Sequence, residues 1–273
     1  MTRPFLIIAH RGAPNHAPEN TLAAFDVALA LGFPHIELDA QLTRDGVPVV
    51  FHDDTLERTS DGSGPLAART LAELKRLDAG AWFGAAFRGE RIPALEEVLV
   101  RYRGKAYLHL ELKSEEPGLP SKVAELLVRT GWPPVRAGGW PIATPPGAGE
   151  GWPNTGVTIS SFHKAQLERM RPLLPKIPLA WLVRSLTPDV LDAARAAGFE
   201  MACPRADSLS ERDVEEAGAR GLRVRAWGLR DTAQLTRLTQ CGIEGTTCDW
   251  PDRAREHLAR LGMPTWDNAP RWA

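Results

Sequence analysis

Glu37 and Asp39 stand two apart in the run Pro34-His35-Ile36-Glu37-Leu38-Asp39. On a strand that spacing turns both carboxylates to one face. Thr43-Arg44-Asp45-Gly46 follows, then Val47-Pro48-Val49-Val50-Phe51-His52. Asp-Gly between apolar runs predicts a hairpin. With Asp45 and Gly46 as the two loop residues, Arg44 faces Val47 and Asp39 faces His52. Opposed residues share a face, so Glu37, Asp39 and His52 converge. Two carboxylates and an imidazole make a poor core. They can hold a divalent metal ion beside a group that moves protons.

Leu108-His109-Leu110-Glu111-Leu112-Lys113 adds a third acid, with Lys113 on its face of the strand. Three buried carboxylates without partners would cost several kcal/mol each. A hard cation relieves this, and oxygen ligands suit Mg2+ or Ca2+ rather than Zn2+. Salt bridges to Arg11 and Lys113 are the structural alternative. His10 and His52 each sit at a strand end, and imidazole serves as acid or base near neutrality. With Arg11 and Lys113 as cations, these are the parts for phosphoryl transfer.

The elements that must position them form a regular alternation. Strands are expected at 5–9, 35–40, 106–112, 157–161, 179–183, 200–203, 223–227 and 244–248. Helices are expected at 20–31, 94–103, 120–130, 163–171, 187–197, 210–219, 231–240 and 251–261. Thr187-Pro188-Asp189 and Ser210-Glu211-Arg212-Asp213 are helix starts. Asn20 and Asp249 read as caps of the first and last helices. Eight strand–helix units predict a (β/α)8 TIM barrel, in which strand C-terminal ends carry the chemistry. His10, Glu37, Asp39, Glu111 and Lys113 all fall there.

Residues 53–93 are too long for a simple connection and are expected to form a small inserted subdomain at the barrel mouth, within one domain spanning 1–273. The Pro/Gly/Trp-rich stretch 132–156 resembles a lid, but its place between a helix and the next strand favours a structural loop at the opposite face. The tail after Leu261 is expected to dock on the barrel exterior.

The chain has 273 residues, 43% hydrophobic and 25% charged, with net charge −1. These values are ordinary for a globular protein and make no case for nucleic acid or an anionic membrane as partner. No apolar run approaches the roughly 20 residues of a spanning helix. Cys203, Cys241 and Cys248 suggest neither a zinc site nor a disulfide framework, and no leader precedes His10, so a cytoplasmic enzyme is expected. The oligomeric state stays open, a homo-oligomer included.

The chain resembles the glycerophosphodiester phosphodiesterase family. The resemblance rests on His10-Arg11-Gly12, Pro18-Glu19-Asn20-Thr21, Glu37-Leu38-Asp39, Pro48-Val49-Val50-Phe51-His52-Asp53, Leu56-Glu57-Arg58-Thr59, Ile92-Pro93-Ala94-Leu95-Glu96-Glu97, Glu111-Leu112-Lys113, Ser160-Ser161-Phe162 and Gly245-Thr246-Thr247-Cys248-Asp249-Trp250-Pro251. The motifs occur in family order from first strand to last. The resemblance implies a barrel with an insertion after its second strand. It implies Glu37, Asp39 and Glu111 as ligands of one divalent cation, His10 and His52 as the acid–base pair, and Arg11, Lys113 and Trp227 on the substrate and its phosphate. It further implies attack by the free glycerol hydroxyl on phosphorus, a cyclic phosphate, and release of sn-glycerol 3-phosphate and an alcohol, in phospholipid and glycerol metabolism.

Trp227-Gly228-Leu229-Arg230 departs from the family's usual Trp-Thr-Val-Asn, which leaves Arg230 either on the distal part of the substrate or in solvent. His109 reads as a hydrogen-bonded core histidine, with a hydrogen bond to a metal ligand as the alternative. A lysophospholipase D using the same site is the second enzymatic reading. It would need an apolar trough, built from Trp82, Phe83, Phe87 and Trp227. A silent barrel binding phosphate esters or a protein is the non-enzymatic reading.

Overall fold

The computed structural model describes residues 4–132 and 155–266. The expected alternation is present: β1 (Leu6–Ala9), α1 (Leu22–Ala30), β2 (His35–Leu42), β3 (Pro48–Val50), α2 (Leu71–Leu74), α3 (Leu95–Tyr102), β4 (Tyr107–Leu112), α4 (Leu119–Arg129), β5 (Gly156–Ser161), α5 (Lys164–Leu173), β6 (Leu179–Leu182), α6 (Pro188–Ala196), β7 (Met201–Cys203), α7 (Glu211–Ala219), β8 (Arg223–Val224), α8 (Thr232–Gln240), β9 (Gly245–Cys248) and α9 (Pro251–Arg260). Parallel strands run in the order β8-β7-β6-β5-β4-β2-β1-β9, with β3 antiparallel on β2. Backbone bonds Glu244 N–H to Val224 O and Ala226 N–H to Gly245 O, both 3.0 Å, join β8 to β9 and close the eight-stranded TIM barrel.

The strands bury both faces, which is why they read as nearly continuous apolar runs. Ile36, Leu38, Leu108 and Leu110 turn outward into the main core beneath the helices. Their neighbours Glu37, Asp39, His109 and Glu111 therefore turn into the barrel. Gly12 (φ +91°) is where the chain leaves β1 and packs on α1: a Cβ there would meet the backbone of Ala24 at 2.7 Å.

The hairpin is present, but its register differs by one residue from expectation. Ala40 pairs with Val50 and Leu42 with Pro48, and the Phe51 N–H donates to Asp39 O, so Asp39 faces Phe51 rather than His52. The loop has three residues, Arg44-Asp45-Gly46, with Gly46 at φ +75°. Thr43 causes this: its hydroxyl donates to Asp45 Oδ1 (2.6 Å) and accepts from Val47 N–H (2.9 Å). Such three-residue loops place a left-handed residue, here glycine, at the third position.

Val49 and Phe51 join Leu56, Leu66, Leu74 and Ile92 in a second apolar cluster belonging to the stretch before α3. Trp132 is buried and its Nε1 donates to Leu99 O (2.8 Å); residues 133–154, and with them the rest of the loop expected at 132–156, lie outside the described residues. Of the tail after Leu261 the described part, residues 262–266, runs to the N-terminal end of the barrel rather than over the helices. Thr265 bridges Phe5, and Trp266 packs against Leu6, Ile8 and Tyr107 at the N-terminal end of the barrel. Those side chains face the interior, so a tryptophan there gains more apolar contact than a helix surface would offer.

Candidate active site

Parallel pairing sets the first group. Asp39 pairs with Glu111 across β2 and β4, and Glu37 sits two residues below Asp39 on the same face. Carboxylate oxygens of Glu37, Asp39 and Glu111 lie within 4.8 Å of one another, and all three residues are buried. Burial and repulsion from Asp39 and Glu111 push the Glu37 carboxyl well above its usual range. Burial and Asp39 push Glu111 up to about 7. Burial alone would raise Asp39 too, but Lys113 and Arg11 outweigh it and hold Asp39 below the usual range.

Two cations reach this acid group. Lys113 Nζ lies 3.2 Å from Glu111 Oε1 and 3.7 Å from Asp39 Oδ1. Arg11 donates its backbone N–H to Glu37 Oε2 (3.0 Å) and sets its Nε 3.4 Å from Asp39 Oδ2. Its φ of +53° is unusual for a residue with a side chain. That geometry lets one residue use backbone and guanidinium on two different acids. Two cations would not balance three ionised acids, and the mutual repulsion adds to burial in raising Glu37 and Glu111; Asp39 Oδ1 accepts no hydrogen bond among the described residues. An all-oxygen donor set with a buried, unfilled acceptor fits a hard divalent cation such as Mg2+ or Ca2+.

The two histidines are built alike. His10 follows β1, with Nδ1 2.5 Å from Asp249 Oδ1 and Nε2 3.8 Å from Glu37 Oε2. His52 follows the hairpin, with Nδ1 2.5 Å from Asp53 Oδ1. A carboxylate only accepts, so in each ring Nδ1 carries the proton and Nε2 is left to exchange one. Burial lowers the His52 pKa, with Arg11 adding to it and Asp39 opposing. Gln41 holds this corner: its Nε2 lies 2.9–3.0 Å from the carbonyl oxygens of Phe51, His52 and Asp53. His52 thus reaches the site despite the shifted register.

A cavity of about 280 Å³ joins these parts, lined by His10, Arg11, Glu37, His52, Glu111 and Lys113. Phe162 and Trp227 form its far wall, edge to face at 5.0 Å, with Trp227 Nε1 donating to Val183 O. Of the residues expected to build an apolar trough, Trp227 lines the cavity; Trp82, Phe83 and Phe87 do not, and Phe83 packs edge to face against both Trp82 and Phe87 within residues 53–93. Arg230 pairs with Asp207 and also stays off the cavity wall. His109 is buried and hydrogen-bonded to His35 and Arg225, as expected of a core histidine, with no hydrogen bond to Glu37, Asp39 or Glu111 among those the described residues show, and it also lines the floor of the cavity.

Two cap expectations are corrected. Thr21, not Asn20, caps α1; Asn20, at φ +57°, instead donates from Nδ2 to Asp39 Oδ2 (2.8 Å). Trp250 occupies the cap of α9, which frees Asp249 for His10. Asp53, Arg58 and Gln41 were not singled out from the sequence. Asp53 carried a signal in its adjacency to His52; Arg58 and Gln41 carried none beyond their place in or near the motifs.

Residues 10–253 match the glycerophosphoryl diester phosphodiesterase family. The Bacillus subtilis protein YhdW is 36% identical over 252 residues, covering 90% of this chain and 95% of its own length. A glycerophosphodiester phosphodiesterase of Caldanaerobacter subterraneus is 32% identical over 252 residues, with the same coverage. Among solved structures, an Oleispira antarctica phosphodiesterase in complex with its product sn-glycerol 3-phosphate superposes with a TM-score of 0.79 at 31% identity, covering 94% of this chain and 97% of that one. The chain belongs to the glycerophosphoryl diester phosphodiesterase family.

Proposed function

We propose that this family member hydrolyses glycerophosphodiesters to sn-glycerol 3-phosphate and an alcohol, with one divalent cation, Mg2+ or Ca2+, held by Glu37, Asp39 and Glu111. The observation that carries the reading is the convergence of three buried carboxylates within 4.8 Å of one another in a cavity that also holds His10, His52, Arg11 and Lys113. The cation would supply Lewis acidity toward a phosphoryl oxygen. Arg11 and Lys113 bind the phosphate charge. One histidine takes the proton of the free glycerol hydroxyl as its oxygen attacks phosphorus, and the other protonates the departing alkoxide at Nε2. The same pair, roles exchanged, lets water open the cyclic phosphate. Trp227 and Phe162 face the alcohol.

Relatives named for this activity and a neighbour solved with this product support the reading. Among the described residues no helix is long and apolar enough to cross a membrane. The three cysteines are free and buried, which suits a reducing compartment such as the cytoplasm. The test is turnover of glycerophosphocholine with enzymatic detection of glycerol 3-phosphate. EDTA should abolish it and Mg2+ or Ca2+ restore it; turnover unaffected by chelation would refute the cation assignment. Phe162, 38% exposed at the mouth, keeps a lysophospholipid substrate in view. Faster turnover of lysophosphatidylcholine than of glycerophosphocholine would select that second reading.

A further inference from the structure

Arg58 lies outside the cavity, in the stretch that follows the hairpin, yet its guanidinium makes the most extensive set of charged contacts near the site. Nε and Nη2 donate to the two oxygens of Asp53, at 2.5 and 2.9 Å. Nη1 and Nη2 donate to the two oxygens of Glu19, at 2.8 and 2.7 Å. Both contacts are two-pronged, a geometry that a planar guanidinium offers and an ammonium does not. Glu19 is itself well covered, at 10% side-chain exposure, and accepts from Arg11 Nη1 at 2.8 Å. It is therefore a fixed anchor. Asp53 in turn sits on His52 Nδ1.

The chain of contacts runs Arg11, Glu19, Arg58, Asp53, His52. It begins on the loop after β1 and ends on the ring that reaches the site from the hairpin. The other histidine has no equivalent: Asp249 holds His10 with a carboxylate 51% exposed, and no guanidinium among the described residues grips it in this two-pronged way. The asymmetry has a structural cause. His10 follows directly on a barrel strand. His52 comes two residues after a three-residue strand at the barrel rim, where the backbone ladder has ended and something else must fix the ring.

We propose that Arg58 is a positioning residue for His52: anchored on Glu19, it sets the Asp53 carboxylate that fixes the proton on Nδ1 and aims Nε2 into the cavity. The inference rests on the proton-transfer role given to His52 above. A purely structural Arg58 would matter for stability alone. A positioning Arg58 acts through one ring, so its effect vanishes when that ring is removed.

The experiment is a double-mutant cycle on the full chain, using Arg58→Lys and His52→Ala. Glycerophosphocholine serves as substrate, because its alkoxide leaving group needs the protonation that a good leaving group would not, and coupled enzymatic detection of glycerol 3-phosphate follows the residual rates. General acid–base transfer contributes about 10²- to 10⁴-fold. Misaiming the ring should forfeit part of that, a fall of about 10- to 100-fold in kcat for Arg58→Lys. The melting temperature should be nearly unchanged, and the loss should shrink to less than about twofold in the His52→Ala background. Asp53→Asn keeps an oxygen toward the ring and removes the charge. It should reproduce the loss, and adding Arg58→Lys to it should cost nothing more. It also serves if Arg58→Lys folds poorly. Unchanged kcat in both Arg58→Lys and Asp53→Asn, or an equal fall in the His52→Ala background, overturns the proposal while leaving the function intact. Full activity of His52→Ala itself would instead overturn the role of His52.

Discussion

The barrel interior carries two belts of buried polar side chains, and they differ in how their charge is matched. The upper belt, at the C-terminal ends of β2 and β4, holds Glu37, Asp39 and Glu111 against Arg11 and Lys113. The lower belt, two residues deeper on the same strands, holds His35 and His109 with Arg225. In the lower belt Arg225 Nη1 donates to His109 Nδ1 at 2.7 Å, and His109 Nε2 meets His35 Nδ1 at 3.1 Å. Tyr107 stacks on His35 at 4.9 Å, and its hydroxyl meets Thr158 Oγ1. Burial, then Arg225, lowers His35 to about 3 and His109 well below its usual value, so both rings stay neutral: His109 accepts from Arg225 at Nδ1 and donates from Nε2 to His35. The lower belt is tied together by hydrogen bonds from Arg225 to His109 and from His109 to His35. The upper belt would carry surplus negative charge with all three acids ionised, which the proposed cation would balance. His109 and Arg225 of the lower belt line the same cavity as Glu37 and Glu111, so the belts differ in chemistry, one neutral rings around a cation and the other clustered acids, rather than in access.

The largest effect expected follows from that surplus. Glu37→Gln or Glu111→Gln should cut turnover of glycerophosphocholine by about 10³-fold or more, because cation binding and charge stabilisation go together. The same variants should leave the metal-free melting temperature equal or higher, since each relieves repulsion. A metal-free loss of stability would break the comparison. His109→Leu should do the reverse. It leaves the buried Arg225 without the imidazole acceptor that the structure shows, at a cost of about 3 kcal/mol in urea unfolding. Its kcat should change by less than about tenfold.

The pH dependence of stability sharpens the contrast, because the belts carry opposite signs. His35 is held at about 3, below an unfolded value near 6.5. Between those values the unfolded chain binds the extra proton, so this contribution is complete above about 6.5 and is lost as pH falls toward 3. Glu111 is raised from 4.5 to about 7 in the metal-free protein. Between those values the folded chain holds the extra proton, so its penalty grows as pH rises from about 4.5 to 7. Urea midpoints of metal-free protein should therefore change little between pH 4.5 and 6.5 and fall below pH 4.5. Glu111→Gln should uncover a rise in stability between pH 4.5 and 7. An unaltered profile in that variant would count against the raised carboxyl.

The smallest effect concerns the closed end. Trp266→Ala should cost about 1–2 kcal/mol, less than a fully buried tryptophan, and leave KM and kcat as they are. A fall in kcat would mean that the lower end of the barrel communicates with the upper.

Much of this was legible in the chain itself. Period-two placement of Glu37 and Asp39, and of Glu111 and Lys113, marks strand faces, and the strand–helix alternation marks the barrel that turns those faces inward. What was not legible depends on tertiary partners. Asp249 and His10 are 239 residues apart, and nothing local distinguishes Asp249 from a helix cap. Asn20 precedes Thr21, and either could cap α1; the left-handed backbone at Asn20 and the buried Asp39 decide it. The hairpin register turned on Thr43, whose hydroxyl bonds stabilise a three-residue loop where Asp-Gly suggests two. Trp266 sits in an aperiodic tail, and periodicity says nothing about a side chain that plugs a barrel end.

Whether Glu37, Asp39 and Glu111 hold a cation is open to calorimetric titration of chelator-stripped protein with Mg2+ and with Ca2+. One saturable site per chain is expected for at least one of the two ions, abolished in the double variant Glu37→Gln/Glu111→Gln and retained in His109→Leu. No binding of either ion to the wild-type chain, or binding that survives loss of both glutamates, would contradict the cation assignment.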